Sequence, residues 1–84
     1  MFKIIVDPKA SKEMEKLSAK LQKQISQKIN QAMENPGYFF KKLGSRTDYK
    51  LRVGKYRVIA DIDFVEQKIT ITFVGHRKNV YEKI

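Results

Sequence analysis

An α+β domain is the fold class this sequence predicts, and three patterns predict it. The stretch "YKLRVGKYRVIADIDF", residues 49–64, alternates apolar and polar side chains on both sides of a glycine, as a half-buried hairpin does. Ala10, Met14, Leu17, Leu21, Ile25, Ile29, Ala32 and Met33 recur at three- and four-residue steps, the period of a helix face. The short run "FKIIV", residues 2–6, stands ahead of them as a strand. An N-terminal strand and two-helix hairpin packed on a small antiparallel sheet satisfies all three.

Each element has a local cause. Asp7-Pro8 opens the first helix, because Asp is a good N-cap and Pro suits the first helical position. Ser18 can cap a second helix, which places a break near Ser18-Ala19-Lys20. Asn35-Pro36-Gly37 ends the pair, and Tyr38, Phe39 and Phe40 fall in the following loop as core and loop anchors. In the hairpin, Tyr49, Leu51 and Val53 share one face while Lys50 and Arg52 share the other. Gly54-Lys55 supplies a two-residue turn with Gly first, as type II′ wants. A second turn near Val65-Glu66-Gln67 leads to "KITITFVGH", with Ile69, Ile71 and Phe73 on one face by simple alternation. "RKNVYEKI" closes the chain as a short helix or tail.

Composition narrows the classes of function. At 84 residues, the chain predicts one domain over residues 1–84. It has no cysteine and one histidine, and its carboxylates are scattered, so neither a disulfide framework nor a metal site is expected. No apolar run is long enough for a transmembrane helix, and the stretch Met1 to Val6 lacks a secretory signal's pattern. A cytoplasmic protein without a membrane partner is the expectation.

Charge is the informative quantity. The formal net charge is +9, which fits a nucleic acid or an acidic protein as partner. All four arginines, Arg46, Arg52, Arg57 and Arg77, lie in the second half. Lysine solubilises, whereas the planar fork of arginine grips phosphate with two bonds. Lys50, Arg52 and Arg57 all fall on the hairpin face that should look away from the helices. Solvent-facing strands also carry such residues, with Asp61 and Asp63 available as ion-pair partners, so the pattern alone leaves both readings open.

If the face is catalytic, its residue types select the chemistry. RNA carries its own nucleophile, the 2′-OH beside the phosphate. The enzyme then needs a base, cations for the developing phosphorane charge, and relief of the leaving 5′-oxygen. An arginine- and lysine-lined site with Tyr81 or His76 nearby suits that reaction better than DNA hydrolysis, which usually calls for a metal.

Two blocks, "LRVGKYRVI" and "VGHRKNVY", together with "DPKASKEMEKL" and "KKLGS", resemble the RelE/ParE superfamily of toxins from toxin–antitoxin systems, specifically the RelE branch of mRNA interferases. The resemblance spans essentially the whole chain and implies a RelE-like microbial RNase fold. It implies a type II toxin that cuts mRNA in the ribosomal A site and is restrained by an acidic, RelB-like antitoxin, with the free toxin monomeric. By the same resemblance, Arg57 stabilises transition-state phosphate, Arg77 serves the leaving group or phosphate charge, and Tyr81 orients the substrate base. Lys50 and Arg52 match a basic pair on the preceding strand that is two lysines in the best-known members, which leaves Lys50 the better base. Arg46, Lys55 and His76 form a secondary, RNA-binding set, with histidine a possible acid–base group because it changes charge near neutrality. No cofactor is implied. Two alternatives remain: a ParE-like toxin that inhibits DNA gyrase by protein contact, and a non-catalytic RNA-binding sheet.

Overall fold

Backbone hydrogen-bonding limits written into the sequence set the helix boundaries. In the computed structural model, which describes residues 2–42 and 48–76, β1 (Lys3–Val6) leads directly into α1 (Pro8–Glu15). The Asp7 side chain caps that helix by accepting from the Lys9 N–H at 3.0 Å. After Glu15 the chain breaks, and the Ser18 hydroxyl caps α2 (Ala19–Glu34) by accepting from the Leu21 N–H at 3.2 Å. Both caps satisfy N–H groups that the first helical turn leaves without partners.

The segment after α2 differs from the expected loop. Pro36–Phe39 forms a single helical turn, α3, closed by the Phe40 N–H donating to the Pro36 carbonyl at 2.9 Å. Pro at the first helical position cannot extend α2 but readily starts a new turn. Phe40 is buried and Phe39 packs against the core, as anchors should, whereas Tyr38 is 67% exposed.

Among the described residues, the sheet holds five strands in the order β1-β5-β4-β3-β2. Here β2 is Lys41–Lys42, β3 Asp48–Val53, β4 Tyr56–Asp63 and β5 Lys68–His76. The three long strands are antiparallel neighbours, as the alternation predicts. Two features go beyond that expectation: β1 pairs parallel to β5, and the two-residue β2 extends the far edge beside β3. Where β1 ends, α1 takes over that edge, and Glu13 Oε1 accepts from the Val74 N–H at 3.2 Å.

Both turns follow their residues. Gly54 has φ of 59° in the two-residue loop between Val53 and Tyr56, and Lys55 does not share that sign, which is the type II′ pattern. In the β4–β5 loop, Asp63 Oδ1 accepts from the N–H groups of Val65 and Glu66, each at 3.0 Å.

The core lies between the helices and one face of the sheet. Ala10, Ile25, Ile29 and Ala32 meet Leu51, Val58, Ala60, Ile62, Ile69, Ile71 and Val74 there. Burying each of the larger of these side chains stabilises the fold by roughly 1.5–3 kcal/mol.

One residue changes the expected facing of β5. Ile59 pairs with Phe73 and Ala60 with Ile71, so Thr72 is the extra residue of a β-bulge. The Thr72 hydroxyl donates to the Ile59 carbonyl at 3.3 Å. Because side chains alternate with period two, one inserted residue reverses every position beyond it. Ile69 and Ile71 face the helices as expected, but Phe73 does not: it joins Ile59 in a separate small cluster on the other face.

Candidate nucleic-acid interface

The sheet face away from the helices gathers three of the predicted basic residues, Lys50, Arg52 and Arg57. Directly opposed residues in an antiparallel pair lie on the same face. Arg52 on β3 is opposite Arg57 on β4, Lys50 is opposite Ile59, and Lys41 on β2 is opposite Lys50. Lys41, Lys50, Arg52 and Arg57 therefore share one face beside the Ile59–Phe73 cluster. Lys41 enters this set only through β2, an element too short to leave a periodic signal. Lys55 sits exposed in the turn at the same end.

Arg57 departs from the expected open position: it is only 3% exposed. Its guanidinium bends back over the hairpin turn and donates to the carbonyls of Gly54 at 3.3 Å and Tyr56 at 3.1 Å. Those bonds offset the cost of burying a cation. Arg52, its directly opposed neighbour, is exposed. Two like charges on one rung destabilise a hairpin, and an anion placed between them reverses the sign.

His76 belongs elsewhere. Instead of lying past the last strand it is the final residue of β5, opposite Tyr56, with the two rings T-shaped at 5.5 Å. Tyr56 packs against the core, so the pair sits on the helix side of the sheet. Strict alternation from Ile71 would have put His76 beside Arg57; the Thr72 bulge sends it to the opposite face. Arg46, Arg77 and Tyr81 lie outside the described residues.

A second surface lies on the helix side. A cavity of about 480 Å³ opens there, lined chiefly by Phe2, Ile4, Val6, Met14, Ile29 and Met33. Among the described residues its lining includes no titratable side chain, unlike the basic face. Among the described residues, no helix is long and apolar enough to cross a membrane.

Comparison with known proteins sets this arrangement in a family. The model of the ParE toxin of type II toxin–antitoxin systems matches residues 4–81. This chain belongs to the RelE/ParE toxin superfamily. It is a toxin of the type II toxin–antitoxin class. No curated protein matches. Among solved structures, this toxin is similar to the isolated Escherichia coli RelE toxin, with a TM-score of 0.79 at 24% identity over 99% of this chain and 94% of that one. It is similar to a chain of the Mycobacterium tuberculosis RelBE toxin–antitoxin complex, with a TM-score of 0.82 at 20% identity over 90% and 98% of the two chains. A chain of the intact E. coli RelBE complex gives a TM-score of 0.76 at 25% identity over 90% and 96%.

Proposed function

We propose that this toxin is a metal-independent endoribonuclease that cuts mRNA in the ribosomal A site. The observation that carries the reading is the Arg52–Arg57 rung, extended by Lys50 and Lys41 on the same face. Arg57, held by two turn carbonyls, is a preorganised cation; such groups stabilise developing charge without reorganising during reaction.

The chemistry follows from the substrate. The 2′-oxygen attacks the adjacent phosphorus, and the bond from phosphorus to the 5′-oxygen breaks. The products are a 2′,3′-cyclic phosphate and a 5′-hydroxyl, the leaving 5′-oxygen taking its proton from solvent water as its charge is relieved. Arg57 and Arg77 neutralise the phosphorane, Lys50 or Tyr81 takes the 2′-OH proton, and Arg52 holds phosphate. Lys50 is the better base of the basic pair, because arginine does not give up its proton at neutral pH. Arg46 and Lys55 are assigned supporting contacts to RNA; His76, which packs on Tyr56 on the helix side of the sheet, drops out of that set.

The toxin works in the cytoplasm, where translating ribosomes are, and is monomeric when free. Its restraint is an acidic, RelB-like antitoxin, suited to the +9 charge of the toxin. Solved relatives are toxin–antitoxin complexes of RelB with RelE, which supports such a partner. Inhibition of DNA gyrase by protein contact is the second reading, favoured by the ParE description of the matching family model.

A translating-ribosome assay on a defined mRNA decides between them, with product ends mapped and gyrase supercoiling followed in parallel. Codon-phased cuts bearing 2′,3′-cyclic phosphate, absent with Arg57→Ala, are expected. Intact mRNA with blocked gyrase would move the toxin to the second reading.

A further inference from the structure

The charge on the open face is sorted by position along the β3–β4 hairpin. Toward the turn, Arg52 opposes Arg57; four residues back along β3, Asp48 opposes Asp61. Asp63, which is exposed, follows Asp61 on the same face of β4. Swapping one member between the two rungs would have made two ion pairs, yet like faces like at both. The two rungs are separated by about 14 Å of strand, more than a Debye length at physiological salt. A polyanion lying along the strands would leave the arginines and run onto the aspartates. A polyanion lying across them, from β4 over β3 to β2, starts above the buried Arg57 and meets Arg52, Lys50 and Lys41 in turn.

That crossing ends at an aromatic ring. Tyr38 is 67% exposed, its centroid lies 5.9 Å from Lys41 Nζ, and Phe39 braces it in a T-shaped pair at 5.0 Å. An exposed ring held in place beside a row of cations is what a single-stranded nucleic acid uses: phosphate on the cations, base on the ring. We propose that RNA crosses the sheet from β4 to β2 and that Tyr38 stacks a base of the strand where it leaves Lys41. Tyr38 is thereby a positioning residue, distinct from the groups that meet the reacting phosphate. The inference rests on the phosphate reading of Arg52 and Arg57.

Fluorescence anisotropy with 2′-deoxy oligomers, which cannot be cleaved, tests it at low salt. A dinucleotide and a hexanucleotide are titrated against wild type, Tyr38→Ala, Tyr38→Phe and Arg52→Gln. Base stacking of this kind predicts that Tyr38→Ala loses about ten-fold in affinity for the hexanucleotide and less than about two-fold for the dinucleotide. Tyr38→Phe keeps wild-type affinity, since the ring and not the hydroxyl is used. A hexanucleotide without bases should bind wild type and Tyr38→Ala alike. Equal loss for both oligomers, or no loss for either, overturns the role of Tyr38. If Arg52→Gln binds both oligomers as wild type does, the phosphate reading falls instead and takes this inference with it.

Discussion

The two faces of this sheet bury side chains for different ends. On the helix side, Ile25, Leu51, Val58, Ile69 and Ile71 are almost fully enclosed, and removing water from their surfaces stabilises the fold. On the other side, among the described residues, the apolar cluster is Ile59 and Phe73, and the other buried residue is a cation. Arg57 has enough burial to fix its geometry but sits opposite another arginine, a rung that an apolar or acidic residue would make more stable. One face therefore optimises packing, and the other gives up some stability for a fixed positive charge.

The difference can be broken or sharpened by substitution. The largest effect is expected on the covered face: Ile71→Ala should cost about 3–4 kcal/mol in urea unfolding. Ile59→Ala on the open face should cost about 2 kcal/mol or less, because its small cluster can relax toward solvent. Equal costs would remove the distinction between the faces. At the hairpin turn, Gly54→Ala should lose about 1–2 kcal/mol, since a φ of 59° strains any residue with a Cβ although nothing lies within 4 Å of the added atom. The same change shifts the carbonyl that holds Arg57, so RNA cleavage should fall with it. The smallest effect belongs to the far rung: Asp61→Asn should raise the affinity of single-stranded oligomers by about two-fold, as one screened repulsive charge would allow. Weaker binding would contradict a repulsive role for that end of the hairpin.

Much of this division was legible in the sequence. Asp7-Pro8 and Ser18 mark both helix starts because capping is a local property. Gly54-Lys55 fixes the hairpin register, and with it the shared face of Lys50, Arg52 and Arg57. What stayed hidden depends on longer-range facts. No propensity distinguishes Thr72 as a bulge within "KITITF", yet that one residue sends Phe73 away from the core and His76 away from Arg57. Nor does alternation show that Arg57, on the outward face, folds back onto its own turn. Lys41 carried no signal because β2 is two residues long and its partner strand lies downstream, and Tyr38 read as a core or loop anchor because sequence does not show which of three adjacent aromatics stays exposed.

In the proposed function, the outward face performs chemistry that the inward face only supports. Single-turnover cleavage of ribosome-bound mRNA, measured for wild type and Arg57→Ala beside their unfolding curves, tests it most directly. The rate for Arg57→Ala should be lower by about 100-fold or more, the scale on which loss of a preorganised charge stabiliser acts. Stability should change by only about 1–2 kcal/mol, because two hydrogen bonds are lost while the repulsion from Arg52 is relieved. A variant that cleaves at the wild-type rate, or loses its activity only in proportion to its unfolded fraction, would contradict the account.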